Sequence, residues 1–456
     1  MSRTLERFRA TAFLVILAGY LLFNYPFMQL RMPPVGFGVP LGELLLILFL
    51  VTTDVPRVLL RMNTTVMLLP FLVWWGWGAA RLAFDTANQG YYWSLRDGTH
   101  LIESLFLIAG FTLAGRPGMV ARLVCWLKPI IIITSVFGLL FMYEGQIVAI
   151  SPKLPGASGQ PIAMFSPFTN SGTMLLWGAS FCIIRAQQGQ AAHIRYILLA
   201  GFLVAFALTV LQQRTTYMQL LALVGLMLVL RPRAIRWLGV TIPLLIALLI
   251  VIAAFDLEVS GRLTKQVSLS FFWDHILSIF GIGQGDLAPS ADGVDLRLGW
   301  WTRIYDRLTA DSVTLITGLG YGIPLTNFSD ALGVTTRELH NSAISVTARL
   351  GLIGIAAWLW MQIELFRAAF RAYRECMRTR RREVADFILL CLAFVVLSIG
   401  SCFGEDTFEK PYNTIPYYAL WGFVLRIAYE LRTEPLRGSS AYRAPQVAAI
   451  SRSSVP

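Results

Sequence analysis

The sequence predicts an all-α polytopic membrane protein of about twelve transmembrane helices, with one large extracytoplasmic loop carrying short amphipathic helices. Three observations predict it. Of 456 residues, 56% are hydrophobic and only 14% charged, where a soluble protein carries about 25% charged residues. Nearly uncharged apolar stretches, each long enough to cross a bilayer, recur along the chain. Basic residues also alternate from loop to loop, the bias that keeps basic loops cytoplasmic. Short alternating segments of the kind that build a β-barrel do not dominate.

The expected spans lie near 11–29, 38–53, 65–83, 99–115, 119–142, 170–185, 194–212, 216–230, 236–255, 341–362, 385–402 and 415–431. The first begins after a basic start with no small-residue cleavage site, so it reads as a retained helix rather than a signal peptide. One set of connections holds Arg3/Arg7/Arg9, Arg57/Arg61, Arg116/Arg122, Arg185/Arg195, Arg231/Arg233/Arg236 and the run at 367–383. The other set, including QLRMPPVGF, the loop around Tyr91–Arg96, LQQRTTY and FGEDTFEKPYN, is mixed or acidic. Both termini are therefore expected in the cytoplasm. The formal charge of +12 belongs to this topological pattern and argues against a nucleic-acid partner. None of Cys125, Cys182, Cys376, Cys391 and Cys402 falls in the long polar loop, so no extracytoplasmic disulfide framework is expected.

The chain divides into an N-terminal bundle of about nine spans (1–255), a large periplasmic loop (256–340), about three further spans (341–431) and a cytoplasmic tail (432–456) expected to be disordered. The loop is too long for an ordinary connection, yet SLSFFWDHILSIFG and LGWWTRIYDRL argue for order. Leu298, Trp301, Ile304, Tyr305 and Leu308 have the spacing of an amphipathic helix, which suits the membrane surface. A polar gap, GQGDLAPSADGVD, separates the two pieces. No internal repeat is found, which weighs against a transporter.

The candidate chemistry lies on the outer face. Arg214, in LQQRTTY, stands at the outer end of the seventh span, where an interfacial arginine reaching for headgroups is an equally good reading. Arg297 opens RLGWW; alone it reads as a solvated charge. Gly318, Gly320 and Gly322 form a glycine-rich turn that permits close backbone approach to a ligand, and also occur as ordinary loop punctuation. His340 precedes Asn341 at the start of the tenth span. Asn is a good N-cap, whereas the imidazole is suited to accept a proton near neutral pH. Arg349 lies roughly 13 Å deeper at about 1.5 Å per residue and on the opposite helix face, as a structural or tunnel-lining group. Arg96 is a further outer-face candidate. The arginine run at 367–383 reads as a topological determinant or a contact to anionic lipid.

QQRTTY (212–217), RLGWW (297–301), GLGYG (318–322) and HNSAISVTARLGLIG (340–354), in this order and on this side, resemble the O-antigen ligase and polysaccharide polymerase superfamily of bacterial membrane glycosyltransferases. Gln213 and the lack of a proline before the glycine turn depart from the family's usual pattern. The resemblance implies transfer of a glycan from undecaprenyl diphosphate to an acceptor hydroxyl on the periplasmic side of the inner membrane. Arg214 and Arg297 would hold the lipid diphosphate, with Asn341 and the three glycines also at the substrate, and His340 would be the general base. No P-loop and no outer-face cluster with metal-ligand spacing is present in the sequence, so a reaction without metal or other cofactor is expected. The implied partners are the lipid-linked glycan, a glycan or lipid A-core acceptor and a chain-length regulator. A polymerase is the leading form, with a ligase or a protein-glycosylating enzyme as relatives. A lipid-linked glycan flippase and an envelope scaffold are the readings from other classes.

Overall fold

A computed structural model of the chain describes residues 3–33, 38–63, 65–156, 161–166, 170–188, 193–211, 213–254, 288–326 and 337–433. The architecture is helical. The first part contains α1 (Arg3–Phe23), α2 (Tyr25–Met28), α3 (Leu41–Thr52), α4 (Val55–Asn63), α5 (Leu68–Gln89), α6 (Tyr91–Asp97), α7 (Thr99–Glu103) and α8 (Phe106–Ala114). It continues through α9 (Met119–Leu139), α10 (Glu144–Ile150), α11 (Ser171–Ala186), α12 (His193–Thr209), α13 (Arg214–Leu230) and α14 (Leu238–Ala254). Then follow α15 (Ala288–Thr309), α16 (Ser312–Thr317), α17 (Ser342–Arg378), α18 (Arg382–Cys402) and α19 (Pro411–Thr433). Two small antiparallel hairpins interrupt them, β1 (Arg31–Met32) with β2 (Val39–Pro40) and β3 (Lys153–Pro155) with β4 (Pro161–Ala163).

Among the described residues three helices are long and apolar enough to cross a membrane: Met119–Ile150, Ser342–Arg378 and Arg382–Cys402. Shorter apolar helices occupy Leu41–Thr52, Thr99–Ala114, His193–Thr209 and Arg214–Leu230. A helix that is apolar all round belongs inside a bundle, and the burial follows that rule. In α19 every residue from Pro411 to Leu425 is buried, and α11 and α18 are buried on nearly all sides. At the α8–α19 crossing two glycines let the backbones meet. A Cβ on Gly110 would run into the Ala419 carbonyl, and one on Gly422 would lie 2.6 Å from the Phe111 amide. Small residues at such crossings let van der Waals packing act where the hydrophobic effect between helices is absent.

Several sequence expectations are corrected. The span expected at 341–362 continues as helix to Arg378, taking in most of the arginine-rich segment expected as a loop. Its Ala and Arg residues are strong helix formers, and Ala368, Ala369, Ala372 and Cys376 bury one face. The same helix is broken at Gly351 (φ 66°, ψ −163°). The loop expected at 144–168 begins with helix α10 and closes with the β3–β4 hairpin. Helix α15 starts at Ala288, inside the polar gap, and its buried stripe is Trp300, Ile304 and Leu308. Leu298 and Tyr305, assigned to that stripe, are 46% and 65% exposed. The piece SLSFFWDHILSIFG and the tail from residue 434 lie outside the described residues.

A side chain at the α8–α19 crossing must push two backbones apart, and overpacking of this kind costs about 1–3 kcal/mol. Gly422→Val is therefore expected to lower the thermal midpoint by several degrees. Reaction of a thiol dye with buried Cys391 during a detergent melt reads it; an unchanged midpoint would mean the helices are not in contact there.

Candidate functional site

Helix α6 ends on Asp97, whose side chain is withdrawn from solvent. Arg337 closes a fork on it, Nε to Oδ1 at 3.1 Å and Nη2 to Oδ2 at 2.6 Å. Arg349 Nη1 lies 3.0 Å from the same Oδ2, and the Gly322 amide donates to it at 3.0 Å. Arg349 also reaches Glu338 at 3.4 Å and the carbonyls of Gly320 and Ile323. One carboxylate thus ties together α6, the glycine-rich turn, the segment before His340 and the deep part of α17.

The glycine-rich turn is spent on the same task. Breaking α17 at Gly351 leaves carbonyls without the amides four residues on, and a buried carbonyl must find another donor. Leu319 N donates to Ala348 O at 2.7 Å, Gly320 N to Arg349 O at 3.0 Å and Trp77 Nε1 to Leu350 O at 3.0 Å. Gly318, Gly320 and Gly322 all have left-handed φ (84°, 90° and 90°). Gly318 and Gly351 are back to back, so that a Cβ on either would strike the other's amide.

This frame delivers His340. Its φ of 51° is a sparsely populated backbone region for a residue with a side chain. Asn341 follows as the N-cap of α17, accepting from Ile344 N at 3.1 Å and donating to Phe403 O at 3.3 Å. Helix α15 covers the site. Trp301 Nε1 donates to Leu339 O at 3.0 Å, and the Trp300 and His340 rings lie 6.0 Å apart, tilted by 31°. Behind the imidazole, Nδ1 is 3.1 Å from Asp406 Oδ2, at ion-pair distance but without the alignment of a full hydrogen bond. The His340 side chain keeps 30% of its surface exposed, whereas His100 is buried, in contact with Tyr418 and stacked on Phe408.

Two arginines complete the site. Arg297 stands one turn before Trp300 on α15, and its charge acts on Arg214, the first residue of α13. Arg214 Nη2 is buried with no hydrogen-bond partner, and neither arginine forms an ion pair among the described residues. The start of α13 adjoins the Asp406 loop, since a Cβ on Gly404 would lie 2.6 Å from Thr215 Cγ2. Arg214, Arg297 and His340 are thus gathered around the first turn of α17. Arg349, Gly318, Gly320 and Gly322 belong to the adjoining Asp97 cluster, where the Arg349 Nη atoms and the glycine turn bond within the protein and Arg349 Nε has no partner among the described residues. Arg96 is exposed, 5.1 Å from the Trp93 ring.

Sequence reasoning passed over the acids. Burial alone would raise the Asp406 carboxyl, but contact with His340 and the charge of Lys410 outweigh it and hold it below the usual range. Glu409 accepts from Ser342 Oγ at 2.6 Å. Burial, then the charges of Glu338 and Asp406, push it up to about 8. Burial also raises Glu338. A cavity of about 20 Å³ is lined by Glu338, Glu409, Asp97 and Arg349, space for about one water. The visible signal was the loop FGEDTFEKPYN with its three acids, but pairing with His340 is a tertiary fact. Among the described residues no three His, Cys, Asp or Glu side chains are grouped to hold a metal ion. No protein-family model and no curated protein matches the chain.

Asp97→Asn leaves two buried guanidiniums short of a charge, and breaking a buried pair costs about 3–5 kcal/mol. The variant is expected to lose stability on that scale in a detergent melt; a loss below 1 kcal/mol would mean the cluster is hydrated and loose. Glu409, raised above the unfolded value of about 4.3, favours folding fully below that value and loses the contribution as pH rises towards about 8. Glu409→Gln, which keeps an acceptor for Ser342, should therefore flatten the fall in thermal midpoint between pH 5 and 8. An unchanged slope would place the titration elsewhere.

Proposed function

We propose that the chain is a membrane glycosyltransferase that moves a glycan from undecaprenyl diphosphate to an acceptor hydroxyl, with a second lipid-linked glycan as acceptor in the leading form. The observation that carries this reading is the meeting of two arginines that have no carboxylate partner among the described residues and a solvent-reachable His340 backed by Asp406. In the reaction the acceptor O–H gives its proton to His340, and its oxygen attacks the anomeric carbon. The bond from that carbon to the diphosphate oxygen breaks, and the lipid diphosphate leaves with the electron pair. Arg214 and Arg297 take up the developing charge through the planar fork that suits phosphate oxygens. Asp406 stabilises the imidazolium and orients the ring, a second-layer role of the kind a general base needs. The resemblance of QQRTTY, RLGWW and HNSAISVTARLGLIG to the O-antigen ligase and polymerase superfamily supports the same assignment. In this reading about twelve helices span the bacterial inner membrane, both termini are cytoplasmic and the site faces the periplasm.

The test is a purified-protein assay with a lipid-diphosphate oligosaccharide and no nucleotide sugar. The parent is expected to release lipid diphosphate and build a ladder of longer glycans. His340→Ala should lose about 10²–10⁴-fold in rate and Arg214→Ala or Arg297→Ala about 10²–10³-fold each, with melting curves unchanged. Transfer to lipid A-core in place of a ladder would convert the polymerase into a ligase. Movement of the lipid-linked glycan across vesicles with no new bond, unaffected by His340→Ala, would end the enzyme reading.

A further inference from the structure

The exposed face of α17 changes chemistry along its length. Leu359, Trp360 and Ile363 are 48%, 38% and 48% exposed, a strip of apolar surface suited to lipid tails. On the next turns Arg367, Arg371 and Arg374 are exposed on the same side, at the four- and three-residue steps that keep side chains on one helix face. Helix α17 breaks at Gly351, and Arg367 lies sixteen residues beyond that break, roughly 24 Å at about 1.5 Å per residue, most of the hydrocarbon thickness of about 30 Å.

They line an open groove of about 560 Å³, together with Glu364, Phe370 and Val66 from the turn before α5. This is the size of small-molecule sites, roughly 300–1,000 Å³. Its charge is left over. Glu364 pairs with Arg367 at 2.6 Å, while Arg371 only donates to the Arg367 carbonyl at 3.1 Å. Arg374 forms no ion pair among the described residues. A positional signal that merely keeps a loop in the cytoplasm needs charge but no groove and no apolar floor. Phe370 and Val66, continuous with Trp360 and Ile363, supply both apolar elements of an amphiphile's site, and tryptophan favours the headgroup level.

We propose that this groove binds the phosphate of an anionic phospholipid from the surrounding bilayer, with its acyl chains along Trp360 and Ile363. Each arginine near a membrane surface contributes about 1 kcal/mol to such contacts.

The test uses the full-length protein in phosphatidylcholine nanodiscs doped with phosphatidylglycerol, with retained lipid counted by native mass spectrometry. Arg371→Gln/Arg374→Gln is expected to hold phosphatidylglycerol about thirtyfold more weakly, which at 1.4 kcal/mol per factor of ten is about 2 kcal/mol for two charges. Arg371→Lys/Arg374→Lys should keep most of the binding, and Arg122→Gln/Arg195→Gln, which removes exposed arginines elsewhere, should keep all of it. The proposal is overturned if the first variant, folded by its melt, retains the lipid like the parent. It is equally overturned if the Arg122/Arg195 variant loses as much, if phosphatidylcholine binds as tightly, or if inorganic phosphate alone displaces the lipid, which would make this a soluble-phosphate site.

Discussion

The carboxylate of Asp97 is the constraint on which the rest depends. Withdrawing two guanidiniums and a carboxylate from water is costly, and their attraction repays it only with good geometry and with every remaining donor satisfied. Here Arg337 takes both carboxylate oxygens, Arg349 shares one, and Arg349 Nη1 also reaches two backbone carbonyls, leaving part of that cost at Arg349 Nε, which has no partner among the described residues. Of the pieces so joined, the one around residue 97 is 225 residues or more from those around 322, 337 and 349. Only their union fixes Glu338 to Asn341, which have no regular secondary structure of their own.

The break in α17 follows from the same knot. An unbroken helix would need no help from the turn at 318–322, and the turn would have no carbonyls to bind. By opening at Gly351 the helix exposes three carbonyls, and the turn and Trp77 answer them. The turn is thereby held against α17, and its own Gly322 is carried to Asp97. This rigidity accounts for the left-handed backbone at His340. A residue in that region costs of order 1–3 kcal/mol and persists only where its neighbours over-determine it. Asn341 capping on one side and Trp301 holding the Leu339 carbonyl on the other do so.

The helical character of the chain was legible in its sequence, because apolar runs of bilayer length have few other solutions. The N-cap at Asn341 was legible too, since capping is a local preference. What could not be read were the long-range choices. Which face of α15 is buried depends on Leu325, Leu339 and Ala348 lying beneath it, so the stripe drawn through Leu298 and Tyr305 came out rotated. Arg96 drew attention as an outer cation, while its neighbour Asp97, an ordinary residue in a line of text, is the anchor. Asp406 lies far from His340 along the chain and carries no spacing signal. Gly351 and Gly354 look alike in sequence, yet only Gly351 takes a left-handed φ, because only there does the glycine turn press against the helix.

The sign of charge is divided across the first turn of α17. Asp406 lies beside the helix N-terminus, where the amide dipoles favour an anion, while burial raises Glu409 and Glu338 towards their neutral forms. Arg297 lies on α15, and its charge acts on Arg214 at the start of α13. Like charges held near one another in a partly desolvated place raise the energy of the empty protein. A carboxylate set between the arginines would relieve that cost and stabilise the resting state. It would also remove the unbalanced positive field that the departing diphosphate of the proposed reaction needs, because a donor already paired must first be freed. In the proposed reaction, the repulsion between Arg214 and Arg297 would suit groups preorganised for a charge that arrives with the substrate, while Asp406 sits behind His340 and does not compete for the arginines.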